Sequence, residues 1–93
     1  MTRLQRIELK SRQTLEIIAQ VHGVSLREIR SDDRHAAVVR ARHACCYALR
    51  QQWGLSTPDI GKLLGGKHHT SVMYGIRKVG ATQKPLQIVK GAA

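Results

Sequence analysis

The sequence predicts an all-α fold, a small helical domain built around a helix-turn-helix, and three observations carry that prediction. Apolar residues recur at three- and four-residue steps, the spacing of one face of a helix. Glycines stand where these periodic stretches end, as left-handed C-caps require. In residues 56–78, two such stretches flank Gly65-Gly66, and the second opens with small hydrogen-bonding residues. Two short helices around a glycine turn are the grammar of a helix-turn-helix. With 93 residues, no Phe, one Trp and two Tyr, the chain makes one domain whose modest core must come from Leu, Ile, Val and Ala.

Residues 1–10 place Leu4, Ile7 and Leu9 among basic side chains, a pattern that suits either an extension of the first helix or a loose basic arm. A helix is expected over 11–22, with Leu15, Ile18 and Ala19 inward and Gly23 as its stop. Ser25 and Glu28 form a capping-box pair for a short helix over 26–30. After the polar break at 31–35 comes the longest helix, over 36–53. Val38, Ala41, Cys45, Ala48, Leu49 and Trp53 form its core stripe, and Gly54 closes it. Ser56 or Thr57 caps the next helix, Pro58 fits its first turn and Asp59 complements its dipole. Ile60, Leu63 and Leu64 face inward. The second helix of the motif begins near His68, with Val72, Met73, Ile76 and Val79 inward. Gly80 is expected to break it, and Pro85 to start a last short helix over 86–90.

Charge is placed unevenly. The formal net charge is +10. Residues 1–33 carry six basic and five acidic side chains, whereas 34–93 carry ten basic and one acidic, Asp59. The half with the helix-turn-helix therefore holds nearly all the excess, and nucleic acid is the leading partner because each neutralised phosphate releases counterions. A solvated basic face, or one suited to anionic lipid, is the alternative. No apolar run reaches membrane-spanning length and no signal-peptide core opens the chain, so a soluble intracellular protein is expected, cytoplasmic and nucleoid-associated.

Catalysis finds no constellation to rest on. Cys45 and Cys46, adjacent on a helix, point about a hundred degrees apart and read as buried free thiols. The five histidines lack a Cys-x-x-Cys partner or a helical ligand spacing, so neither a metal nor another cofactor is expected. A Gly-x-x-x-x-Gly-Lys-Thr phosphate loop is also missing, and the chain is not expected to be an enzyme.

The stretch Gly65-Gly66-Lys67-His68-His69-Thr70-Ser71-Val72 resembles the Gly-Gly-Arg-Asp-His-Thr-Thr-Val signature of the DNA-binding domain of the bacterial replication initiator DnaA. The likeness runs upstream through Ser56-Thr57-Pro58-Asp59-Ile60-Gly61, where the family has Ser-Leu-Pro-Glu-Ile-Gly, and downstream through Arg77-Lys78-Val79. Without gaps it reaches back to about Leu15. It implies a DnaA-like helix-turn-helix domain over 15–80, preceded by a basic extension over 1–14 and followed by a short tail or helix over 81–93.

The resemblance also implies a double-stranded DNA partner and a set of contacts. His69 and Thr70 match residues that contact bases, and Ser71 matches one that contacts phosphate. Arg34 matches an arginine that enters the minor groove, although Asp32 and Asp33 beside it offer ion-pair partners instead. Arg42 and Arg50 match basic positions that hold phosphates on the long helix. Pro58 and Lys67 complete the expected DNA-contacting set, with Lys62, Arg77 and Lys78 on the same basic rim. His68 departs from the family's Asp, exchanging an acceptor of cytosine's amine for an imidazole that donates to guanine or phosphate. The expected function is sequence-specific DNA binding in the regulation of replication or transcription, without the initiator's ATPase. A low-specificity nucleoid-type protein and an adaptor for an acidic protein partner are the alternatives.

Overall fold

The structure, a computed structural model, describes residues 2–82 and is helical, as expected. Five helices follow one another: α1 (Arg3–His22), α2 (Leu26–Arg30), α3 (Ala36–Trp53), α4 (Thr57–Leu63) and α5 (His69–Thr82). Helix α3 is central. It packs against α5 and α1 most extensively and also touches α2 and α4, while α4 packs on α5. The core joins Leu15 and Ala19 of α1, Ile29 of α2, Ala41, Cys45, Cys46 and Leu49 of α3, Ile60 and Leu64 at α4, and Val72 of α5. The expected α3 stripe is therefore correct in its centre. At its end Trp53 packs half-buried against this core and donates from Nε1 to Thr14 Oγ1 at 3.3 Å.

Local chemistry explains most boundaries. Ser25 accepts from the Glu28 amide while the Glu28 carboxylate accepts from the Ser25 amide, closing the expected capping box. Gly23 and Gly54 end α1 and α3 in the left-handed conformation. Ser56 caps α4, accepting from the Asp59 amide at 3.3 Å, and Pro58 sits in the first turn. Both cysteines are buried and free, and burial pushes each thiol up to about 12.

Two expectations change, and one open choice is decided. The N-terminal stretch extends the first helix, one of the two forms its pattern suited: α1 begins at Arg3, because Thr2 and Gln5 form a second capping box, and Ser11 lies wholly buried within it. At the other end α5 runs through Gly80 to Thr82 instead of breaking. A Cβ at Gly80 would lie 3.4 Å from the Tyr47 ring, in ordinary contact with α3. Met73, expected inward, is 37% exposed. The inner face is completed by Gly75, where an added Cβ would lie 2.9 Å from His43 Cδ2, so α5 closes directly onto α3. Finally, the helix expected over 86–90 lies outside the described residues. No helix among the described residues is long and apolar enough to cross a membrane.

Candidate nucleic-acid interface

The turn between α4 and α5 is locked by one carbonyl. Gly61 O accepts from the amides of Gly66 and Lys67, both at 2.9 Å, and from Leu64 at 3.2 Å. Such triple acceptance requires the turn to fold tightly over α4, and a Cβ on Gly61 would lie 2.1 Å from Lys67 O. Gly65 has φ +84, and a Cβ there would lie 2.3 Å from Arg30 O. The turn thus rests directly on the last carbonyl of α2; Gly61 is needed for contact, and Gly65 for both contact and backbone freedom.

Past the turn, α5 leaves one face uncovered. At a hundred degrees per residue, Thr70, Met73, Tyr74 and Arg77 share the side opposite Val72, Gly75 and Val79. All four are exposed, as are His69 and Ser71. His68 precedes the helix and caps it: its Nδ1 accepts from the Thr70 amide at 3.2 Å and lies 2.7 Å from Thr70 Oγ1. The His68 and His69 rings lie against each other, centroids 4.4 Å apart and planes tilted by 30°. His68, His69, Thr70 and Ser71 thus come together at one exposed helix end, where the sequence put them. Met73 and Tyr74 were not foreseen as surface residues, yet the same angular count that selects Thr70 and Arg77 selects them. Tyr74 meets His43 edge-on at 5.6 Å, and Lys78 Nζ lies 5.7 Å from its ring centroid. His43, tucked behind, has its pKa lowered by burial, with the charges of Lys78 and Arg42 adding to the effect.

Two hollows flank α5. One, of about 830 Å³, lies towards the N-terminal half of α3 and is lined by Arg34, Arg42, Lys67, Thr70, Ser71 and Tyr74 among others. The other, of about 410 Å³, lies towards α4 and is lined by Arg50, Thr57, Pro58, Met73 and Arg77 among others. The candidate residues therefore divide between two sides of one helix.

Their cations are used differently. Arg42, expected to offer its guanidinium to phosphate, directs Nε to Ile29 O at 2.8 Å. Its Nη2 donates to the carbonyls of Ser31, Asp33 and Glu28 at 2.9, 3.1 and 3.2 Å. Lys67 is similarly turned in, donating to Arg30 O at 3.0 Å with a side chain only 16% exposed. Arg30 Nε donates to Leu63 O at 3.1 Å. These three cations gather the C-terminal carbonyls of α2 and α4, where a helix's negative end draws positive charge. Sequence spacing gave no sign of this, because the acceptors are backbone oxygens distant in the chain.

Arg34 stays exposed beside the larger hollow. The ion pairs of its two acidic neighbours go elsewhere: Asp32 meets Lys67 at 3.6 Å, and Asp33 Oδ1 meets His35 Nδ1 while accepting from the His35 amide at 2.8 Å. Those hydrogen bonds from His35 hold the Asp33 carboxyl below its ordinary value, and Asp33 raises His35 in return. Arg50 remains exposed, donating from Nη1 to Leu55 O at 2.9 Å, and exposed Pro58 stands across the smaller hollow from it. Among the described residues, no group of three or more His, Cys, Asp or Glu side chains is arranged to hold a metal ion.

Comparison with known proteins agrees with this architecture. The family described as "Bacterial dnaA protein helix-turn-helix" matches residues 12–79. The chain is similar to the chromosomal replication initiator protein DnaA of Gloeobacter violaceus, 42% identical over 74 residues, covering 80% of this chain and 17% of that protein. DnaA of Chloroflexus aggregans is 36% identical over 75 residues, covering 81% of this chain and 16% of that protein. DnaA of Ureaplasma parvum is 38% identical over 72 residues, covering 77% and 16%. The match thus spans less than a fifth of the length of these relatives. No solved structure matches the chain. With the family pattern spanning α1 to α5 and the glycine turn folded as a helix-turn-helix, the chain belongs to the bacterial DnaA-protein helix-turn-helix family.

Proposed function

We propose that this domain binds double-stranded DNA and reads its sequence by inserting α5 into the major groove. The observation that carries the proposal is the uncovered face of α5, with His69, Thr70 and Ser71 exposed at its leading end and a hollow lined with basic residues on each flank. A major groove about 12 Å wide accepts one helix, and its two phosphate backbones then run along the helix's sides. Arg34 on one flank, and Arg50 and Arg77 on the other, are exposed where those backbones would pass. The helix N-terminus adds its partial positive charge. The relatives are replication initiators by name, and the proposed biological role is regulation of replication, as that name suggests, or of transcription. The 93 residues contain no nucleotide-binding loop, so the domain itself is proposed to bind without catalysis and without a cofactor.

The test is a selection on randomised duplexes, followed by salt titration of the selected site. A preferred sequence whose affinity falls steeply with salt supports the proposal. Steep salt dependence with no preferred sequence supports the nucleoid-type alternative instead. Absence of DNA binding at low salt overturns both and leaves an acidic protein partner for the basic surface.

A further inference from the structure

We propose that His68 is a positioning residue for base recognition: it fixes the direction of the Thr70 hydroxyl and so makes Thr70 select an amino-bearing base. The proposal rests on α5 being the reading helix. It begins with the ring nitrogen that caps the helix. The Thr70 backbone N–H can only donate, and it points at His68 Nδ1 over 3.2 Å. Nδ1 must therefore carry a lone pair, which leaves the ring proton on Nε2. Thr70 Oγ1 lies 2.7 Å from the same Nδ1. A nitrogen without a proton only accepts, so the hydroxyl donates to it, and the Thr70 amide and hydroxyl share its single lone pair. The stacked His69 ring braces the imidazole plane in this position.

The hydroxyl's one proton is thus committed to His68, and Oγ1 faces outward with lone pairs alone. A threonine with a free hydroxyl serves donors and acceptors alike and discriminates poorly between bases. A threonine held in this way accepts only. In the major groove, cytosine N4 and adenine N6 offer donors, whereas guanine O6 and thymine O4 offer acceptors. Thr70 therefore selects adenine or cytosine at the base it faces, while His68 presents Nε2–H to an acceptor beside it. A carboxylate such as the family signature carries at this position would also only accept from the hydroxyl, so the exchange to His retains the first half of the code and inverts the second.

The experiment compares the wild-type chain with His68→Ala, His68→Asn and Thr70→Val by selection on randomised duplexes. Wild type is expected to favour adenine or cytosine over guanine or thymine about tenfold at one position. Thr70→Val and His68→Ala should each reduce that preference to about twofold or less while other positions keep theirs. His68→Asn should restore it, because the amide oxygen accepts from both the backbone and the hydroxyl. His68→Ala with the preference intact, or with affinity lowered equally at every site, would reduce His68 to a simple helix cap and overturn the proposal. Failure of His68→Asn to restore the preference also overturns it. A featureless wild-type profile overturns both this proposal and the reading role of α5, which separates the two failures. A second measurement requires no variant. In mildly alkaline buffer the imidazole nitrogen spectrum should show His68 Nδ1 as the unprotonated ring nitrogen, and a proton on Nδ1 would contradict the mechanism directly.

Discussion

The two flanks of α5 hold the same kind of residue and, exposed Arg34 apart, use it in different ways. On the side of α2 and the 31–35 loop, Arg42 and Lys67 turn their charges inward onto backbone carbonyls. On the side of α4, Arg50 and Arg77 stay at the surface beside Pro58. The difference follows from what each flank must close. Short α2 caps its Glu28 carbonyl locally through Ser31, while cations from two other elements serve the Ile29 and Arg30 carbonyls that follow. Helix α3 ends instead in a left-handed glycine whose amide donates back into the helix, so its last turn is satisfied largely without help. A basic rim read from composition is therefore two things here: a structural clamp and a surface available to phosphate.

The comparison breaks most visibly at Arg42. Arg42→Ala removes donors from four carbonyls around α2 and should destabilise the fold by about 2–4 kcal/mol in denaturant unfolding. Arg42→Lys should rescue little, because one ammonium does not reproduce the guanidinium fork. If Arg42→Ala leaves stability unchanged yet flattens the salt dependence of DNA binding, Arg42 belongs with the phosphate-binding residues after all. Lys67→Ala should cost less, about 1–2 kcal/mol, through the loss of its bond to Arg30 O. Its salt slope should stay within experimental error of wild type once binding is corrected for the folded fraction.

The opposite flank should behave in the opposite way. Arg50→Ala and Arg77→Ala are expected to change stability by no more than about 0.5 kcal/mol. Each should lower the salt slope of DNA binding by about one unit and weaken binding to all sequences alike. Stability losses comparable to those of Arg42→Ala would erase the distinction between the flanks.

What the sequence disclosed and what it withheld divide along the same line. The capping box at Ser25 and Glu28, the glycine stops at Gly23 and Gly54, and the α3 stripe through Ala41, Cys45 and Leu49 were legible, because each depends on neighbours within a few residues. The grouping of His68, His69, Thr70 and Ser71 at one helix end was legible for the same reason. The orientation of Arg42 and Lys67 was not, since their partners are carbonyls on other elements. Nor was the role of Gly75, where α3 is pressed against the helix, or the continuation of α5 through Gly80. Met73 was misplaced because hydrophobicity alone did not show that a glycine takes the inward position.

The smallest predicted effect concerns pH. Burial lowers the His43 pKa, so the folded state resists protonating a group that protonates freely once unfolded. Its contribution is full above the ordinary value of about 6.5 and is lost as pH falls towards the depressed folded value. His35, raised by Asp33, has the opposite sign: its contribution is present below its ordinary value and fades as pH rises through the folded one. Thermal unfolding of wild type and His43→Gln between about pH 5 and 7 separates them. The variant should lose less stability on acidification, and an identical slope would remove His43 from the account.

The central claim, that α5 enters DNA with exposed cations beside it and the α2 clamp behind it, is tested most directly by mapping backbone amide resonances during titration with a selected duplex. The largest changes should fall at residues 68–74, with a second group at Arg50, Thr57 and Arg77, while Ile29 and Arg30 in the clamp move little. Changes concentrated on the outer face of α1, around Arg6 and Arg12, with residues 68–74 unmoved, would contradict it.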